Sequence, residues 1–401
     1  MDLRVLQVIP SVSLSQGGPT RALLDIERAL KARGIAVTTV TTNDDGGKAK
    51  LPVPTGTRVE EANAARYYFD RSTSFYKAAF AMPRWLRENM RNFDIVHAHG
   101  LFSFAPLAAA REARRVGTPY ILRPLGVLAR YGVTKRRPWL KRLSFDWIER
   151  DLIEAASAVH FTSRIEKSEA DAFHLNYKPV IIPLGIDLTA VPGGRDKTPS
   201  GSGEKTIFLC LSRIDPVKNL ENLLRALSLV ATRHGNFLLR IAGDGDAHYV
   251  DGLKKLAVEL GLNDKVVWLG HIGGAEKSRA LSEADVFIQA SHSESFGIAV
   301  VEALACGLPC VVSQGVAISP DIAEAGAGIV AAPSADGLAA AVERMLTDVS
   351  ARPAMARAAR DLALRVFSLD AMGERLESLY RDIIAAGGRS SRAGGLAGAS
   401  A

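Results

Sequence analysis

The sequence predicts an α/β protein of two Rossmann-like, doubly wound domains facing a cleft, and three observations predict it. Apolar runs of strand length alternate with helical stretches from the first residues onward. The alternation breaks at a segment rich in Gly, Pro and Ser between Val191 and Lys205, then restarts. The chain, at 401 residues, exceeds one ordinary core, since globular domains run roughly 100 to 200 residues. Strand-helix alternation implies parallel sheets with right-handed crossovers, and such sheets bind ligands at the carboxyl ends of their strands.

The first domain is expected over 1–190. LRVLQVI opens as a strand, Thr20 to Arg33 is helical, and IAVTTVTT, DIVHAH and PYILRP follow as strands, with a helix from Leu107 to Val116 between the last two. AVHFTS, a helix near Glu166 to Phe173 and PVIIPLG continue the pattern. The linker over 191–205 contains PGGRDKTPSGSGEK, which buries too little to form a core. In the second domain, 206–368, strands TIFLCLS, NFLLRIAGDG, KVVWLG, DVFIQAS and PCVVS alternate with helices from Leu220 to Arg233, Tyr249 to Leu260, near Glu276 to Glu283, and Ile298 to Cys306. A helix over 369–386 is expected to pack back toward the first domain, and the low-complexity tail 387–401 to be disordered.

Composition narrows the class. With 47% apolar and 23% charged residues the chain suits packed α/β domains rather than a disordered or fibrous one. The first strand starts without a basic leader or apolar h-region, so export is not expected. The most apolar stretch, Phe296 to Val312, is interrupted by Gly297, Glu302, Gly307 and Pro309, whereas a spanning helix needs about 20 largely apolar residues. Cys210, Cys306 and Cys310 form no CxxC pair, which argues against a disulfide framework or zinc site and for a reducing cytoplasm. The net charge of +7 suits nucleic acid, an anionic membrane or phosphate-bearing ligands, and charge alone does not choose. Arg84 to Arg91 and Lys135 to Arg142 interleave cations with Trp85, Trp139 and Leu140, and Leu143, Phe145 and Trp147 follow. This is either a peripheral contact with the anionic inner face of a membrane or a solvated helix face above core aromatics.

The sharpest motif runs from Ser293 to Pro309, between a strand and a helix. Gly297 lets the backbone approach a ligand, and the N–H groups at the helix start form an anion site suited to phosphate. Glu294 precedes that site and Glu302 lies inside the helix. Carboxylates repel phosphate, so they fit better as acceptors for sugar hydroxyls; otherwise Glu294 caps the helix and Glu302 is a surface residue. SRIDPVKN follows TIFLCLS and brings Arg213 and Lys218 to the ligand end of a strand, where both cations suit a diphosphate. Gly243-Asp244-Gly245-Asp246 reads as a tight turn before it reads as a metal pair. Gly17-Gly18-Pro19 is a glycine-rich turn after the first strand, without the full G-x-G-x-x-G of a nicotinamide site. His97 and His99 share one face of a strand, and Ala98 between them suggests that the segment is leaving the sheet there.

The set resembles the retaining glycosyltransferases of family four, with the GT-B fold, and among them the bacterial exopolysaccharide and lipopolysaccharide enzymes. The matching pieces are QGGPT at 16–20, FDIVHAHG at 93–100, PLGID at 183–187, SRIDPVKN at 212–219, AGDG at 242–245 and SESFGIAVVEALACGLP at 293–309, in family order over about 1–385. The last carries the E-x7-E spacing and is the most specific. The resemblance implies that Glu294 contacts sugar hydroxyls, Glu302 the ribose, and the amides of Phe296, Gly297 and Ile298 phosphate. It assigns Arg213 and Lys218 to the leaving diphosphate, Gly17, Gly18, Gly243, Asp244 and Ile272 to the donor side, and His99 to the acceptor side, with His99, Arg213, Lys218 and Glu294 as the catalytic set. Arg123 is an acceptor-side candidate; Leu125 stands where the related exopolysaccharide enzymes lead one to expect histidine. No metal and no cofactor are implied, the nucleotide diphosphate sugar being a substrate, and charge stabilisation of the departing diphosphate is the main catalytic lever. The implied partners are that donor, a glycan or lipid-linked acceptor and the inner membrane face, not nucleic acid. The implied role is hexose transfer in surface polysaccharide assembly, in the cytoplasm or peripheral to the membrane. A soluble-acceptor enzyme and a non-catalytic nucleotide- or polyanion-binding protein are the alternatives.

Overall fold

A computed structural model describes residues 3–47, 49–73, 76–128, 144–189, 191 and 205–396. The basic stretch Lys135 to Arg142 and most of the expected linker lie outside the described residues. The chain forms two compact units, Met1–Gly185 with Leu369–Ala401, and Ile186–Ser368.

The first unit follows the order β1 (Arg4–Ser11), α1 (Gly18–Ala32), β2 (Ala36–Thr42), β3 (Arg58–Glu60), β4 (Ala65–Phe69), α2 (Met82–Asn89), β5 (Ile95–His99), α3 (Phe104–Val116), β6 (Tyr120–Arg123), α4 (Arg150–Glu154), β7 (Ala158–Phe161), α5 (Arg164–Asp171) and β8 (Pro179–Ile181). Its sheet has the order β3-β4-β2-β1-β5-β6-β7-β8 and is parallel except for the short edge pair β3·β4. Because strand side chains alternate, Leu6, Val8, Val96 and Leu122 fill the layer beneath α2 and α3, while Val5, Ile95 and Ile121 fill the opposite one. Gly117 closes α3 in the left-handed conformation, φ +77°, a common helix stop.

The second unit runs β9 (Thr206–Leu211), α6 (Leu220–Ala231), β10 (Phe237–Ala242), α7 (Ala247–Glu259), β11 (Val266–Gly270), α8 (Gly274–Glu283), β12 (Val286–Gln289), α9 (Ile298–Ala305), β13 (Cys310–Ser313), α10 (Ser319–Ala325), β14 (Gly328–Ala331), α11 (Ala335–Thr347) and α12 (Arg352–Val366). Its sheet is parallel, in the order β11-β10-β9-β12-β13-β14. Phe208, Leu239, Ile288 and Val311 from four of these strands meet Leu224 and Val342 from flanking helices in one buried core.

The last helix, α13 (Leu369–Leu396), belongs to the first unit. Met372, Leu376 and Tyr380 cover the Val5, Ile95 and Ile121 layer, and Arg33 on α1 pairs with Glu377 at 2.7 Å and Asp370 at 3.0 Å. α13 continues past 386, where the sequence predicts a tail; once its first turns are packed, each further residue adds a hydrogen bond at little nucleation cost. Among the described residues no helix is long and apolar enough to cross a membrane.

Candidate active site

In an open parallel sheet the crevice for ligands opens where the strand order reverses, outside the carboxyl ends. In the second unit that point lies between β9 and β12. The loops that leave these two strands carry Arg213, Lys218 and Glu294, so their convergence follows from the topology.

The two loops are fastened to each other. Asp215 caps a short turn by accepting from Val217 N–H at 3.0 Å. Asn219 adopts φ +58° and donates its amide to Ala290 O at 3.0 Å and Pro333 O at 2.8 Å. His292 N–H donates to Val217 O at 2.8 Å, and Glu294 N–H to Gly315 O at 2.8 Å. With the backbone held, Lys218 Nζ donates to Glu294 Oε2. Glu294 therefore does not cap α9: the helix starts on Gly297, at φ +92° and ψ 61°, with no side-chain cap. That leaves the amides at the start of α9 to an outside partner. The Phe296 ring is buried edge-to-face on Phe367, with centroids 5.8 Å apart, while Ile298 is exposed.

Glu302, half-buried within α9, accepts from Lys277 Nζ of α8 at 2.7 Å. Both loop and helix carboxylates thus hold a lysine. Arg213 is exposed. Gly243 and Asp244 follow β10, and Ile272 follows β11. Gly243 has no room for a side chain, since a Cβ there would stand 1.8 Å from Ser212 O. Asp246 caps α7 through Tyr249 N–H at 3.0 Å, and Asp244 lies 3.5 Å from His271 Nδ1. The Gly-Asp-Gly-Asp segment is a turn whose acids face different partners.

In the first unit the strand order reverses between β1 and β5. Gly17 and Gly18 form the turn after β1, and Gly17, at φ +65°, opens α1. His99 ends β5. The expectation that the chain leaves the sheet at Ala98 is corrected: His97, Ala98 and His99 pair in register with Ile121, Leu122 and Arg123, and all three are buried. A parallel strand in the middle of a sheet tolerates alanine as readily as any small apolar residue. Burial first, then neighbouring positive groups, hold the His97 and His99 imidazoles well below their usual range, and His160 is pulled down to about 3 for the same reasons. Arg123 is 3% exposed; burial lowers its guanidinium to about 10, which Glu166 partly opposes, and its Nε and Nη1 find no hydrogen-bond partner among the described residues. Leu125 sits at φ +62°, a conformation costly for a large side chain.

Residues 17–185 match the family model described as "Glycosyl transferase 4-like domain", and 195–362 match that of "Glycosyl transferases group 1". The chain belongs to the family-four glycosyltransferases. An uncharacterized glycosyltransferase of Methanocaldococcus jannaschii is 32% identical over 44% of this chain and 45% of its own length. The GDP-mannose-dependent α-(1-6)-phosphatidylinositol monomannoside mannosyltransferase of Mycolicibacterium smegmatis is 30% identical over 56% of this chain and 62% of its own. The chain thus spans roughly half of the curated relatives it matches. The solved structure of Anabaena HepE in complex with UDP superimposes with a TM-score of 0.69 at 18% identity, covering 95% of this chain and 100% of that one, and shows the shared GT-B fold.

In this family member the second unit brings Lys218 onto Glu294 just ahead of the start of α9, with Arg213 on the same loop as Lys218 and Gly243, Asp244 and Ile272 after the ends of β10 and β11. Sequence reasoning passed over Lys277, Asn219, Gln7, His160 and Tyr380. A helical lysine is ordinarily solvated and a lone asparagine ordinarily a turn former, so neither stands out before the loops are seen to meet.

Proposed function

We propose that the chain moves a sugar from a nucleotide diphosphate sugar to a glycan or polyprenyl-linked acceptor, retaining configuration and without a metal, in the assembly of a surface polysaccharide. The observation that carries this reading is the α9 start: an uncapped helix on a left-handed glycine, just after Glu294, which holds Lys218, with the exposed Arg213 on the same loop as Lys218. Amides and cations of this kind stabilise the negative charge that grows on a departing diphosphate. When the diphosphate enters, Lys218 exchanges the Glu294 carboxylate for phosphate, and Glu294 is released to accept from sugar hydroxyls. Glu302 reads the ribose in the same way beside Lys277. Gly17 and Gly18 border the donor, and His99 and Arg123 face the acceptor. Anabaena HepE, which has been solved with UDP and with UDP-glucose, supports the donor class.

A peripheral position at the inner face of an anionic membrane is part of the reading. Phe80 and Trp147 are 68% and 80% exposed, and the exposed Arg84 and Arg87 of α2 follow Phe80 in sequence. The mycobacterial relative, by its name, acts on a lipid. The test is a thermal-shift screen with UDP, GDP, ADP and TDP sugars, followed by transfer assays of Glu302→Gln and Arg213→Ala with the donor that stabilises most. Unchanged transfer in both variants would sink the proposal.

A further inference from the structure

A chain of hydrogen bonds crosses the buried layer beneath α13, and one end fixes its direction. His160 Nε2 lies 2.8 Å from Ile182 O. A carbonyl oxygen only accepts, so this nitrogen carries a proton. The imidazoles are fully buried and neutral, and a neutral imidazole has one N–H. His160 Nδ1 therefore accepts from His97 Nε2, 3.3 Å away. His97 Nδ1 is then proton-free and accepts from the Tyr380 hydroxyl at 2.8 Å. That hydroxyl has given its only proton, so its oxygen accepts from Gln7 Nε2 at 3.4 Å. The Gln7 carbonyl accordingly faces His99 and accepts from its Nε2–H at 2.6 Å. The chain ends on His99 Nδ1, a bare lone pair that is buried and has no hydrogen-bond partner among the described residues.

We propose that Tyr380, His97, His160 and Gln7 are positioning residues that hold His99 as the Nε2-protonated tautomer, so that Nδ1 accepts a hydrogen bond from the hydroxyl of the sugar acceptor. This rests on the reading of His99 as facing the acceptor. An attacking hydroxyl must present a lone pair to the anomeric carbon, and a proton-free nitrogen draws the hydroxyl hydrogen aside. The other tautomer would donate to the oxygen and occupy the pair needed for attack. The Arg123 guanidinium, in register with His99 on the next strand, disfavours a second proton on the ring. A residue of the last helix thus sets the donor–acceptor sense of a side chain on the fifth strand.

The test is nuclear magnetic resonance on the full chain, isotope-labelled at the imidazole nitrogens, with His99 assigned by the signals lost in His99→Asn. The expected wild-type pattern is a proton-free Nδ1 and a proton-bearing Nε2. Tyr380→Phe removes the donor to His97, and Gln7→Met breaks the last two links, to the Tyr380 hydroxyl and to His99; each is expected to shift the His99 nitrogens toward a mixture of tautomers. Gln7→Met keeps the test decisive if Tyr380→Phe does not fold. A protonated Nδ1 in the wild type, or a His99 pattern unchanged in the folded variants, would overturn the relay. A donor screen without any stabilising sugar nucleotide, alongside the expected tautomer, counts against the proposed function and leaves the relay standing.

Discussion

Replacing Gly297 with alanine tests whether the left-handed start of α9 is required. The residue sits at φ +92°, and a Cβ added there would lie 3.2 Å from Val300 Cγ2 and 3.5 Å from Glu294 Cγ. A left-handed backbone costs an L residue about 1–2 kcal/mol, and the Val300 contact adds to this because it is tighter than ordinary packing. Alanine also restricts the unfolded chain, which returns about 0.4–1 kcal/mol. The net loss is about 1.5 kcal/mol, and for a unit of this size each kcal/mol lowers Tm by about 2–4 °C, so the expected drop is roughly 3–6 °C. The assay is a thermal melt with and without UDP-glucose, or whichever sugar nucleotide stabilises the wild type most. The stabilisation by that ligand should shrink as well, since the strained turn re-aims the amides of Phe296, Gly297 and Ile298. A variant that melts within about 1 °C of wild type and responds equally to ligand would refute the reasoning, for then neither the conformation nor the amides matter.

Gly243→Ala is expected to be far worse, above about 4 kcal/mol, because its Cβ would strike backbone rather than a side chain; recovery of soluble, cooperatively melting protein would contradict this. A double-mutant cycle of Lys277→Met and Glu302→Gln should give a coupling of about 1 kcal/mol in urea unfolding, as the pair is partly shielded from solvent; zero coupling would dismiss the pair. The buried histidines predict an acid-labile first unit. Their folded pKa values lie below the unfolded value of about 6.5, so the unfolded state binds the extra protons, and stability is full above that pH and lost as pH falls below it. Each histidine contributes a slope of about 1.4 kcal/mol per pH unit, for His160 down to about 3, and His160→Gln should remove one such share from the urea midpoints measured across that window. Finally, Phe80→Ser with Trp147→Ser should reduce sedimentation with anionic phospholipid vesicles several-fold; equal binding would remove the membrane contact from the proposed function.

Much of this architecture was legible because its signals are local. The run from Ser293 to Pro309 reads as strand end, glycine turn and helix, and the alternation of apolar runs with helices yields two parallel sheets. The edge strands β3 and β4 were not legible: Arg58–Glu60 is too short and polar to show a period, and ARYYF owes its strand to β2 beside it. β14 was hidden because Ile329 and Val330 are its only large apolar residues, set among glycines and alanines from Gly326 to Ala332, and pairing with β13 gives the segment its shape. At the site, Arg213, Lys218 and Glu294 could be named because each follows a strand. The partnership of Lys218 with Glu294 could not, since it depends on which strands are neighbours. Tyr380 carried no signal, being one aromatic on an amphipathic helix, and its position against His97 is a property of the closed unit.

The discontinuity of the first unit carries a consequence for the order of its birth. Residues up to Gly185 emerge from the ribosome long before α13, with the whole of Ile186–Ser368 made in between. At about 5–20 residues per second that interval is roughly 10 to 40 seconds. Throughout it Val5, Ile95 and Ile121 lack the cover that Met372, Leu376 and Tyr380 later supply, and His97 lacks the hydroxyl that completes its hydrogen bonds. The nascent protein therefore carries an open, adhesive apolar layer for the time it takes to build its other half. Chains released early, before Tyr380, should be prime clients of chaperones and proteases even though both sheets are already encoded.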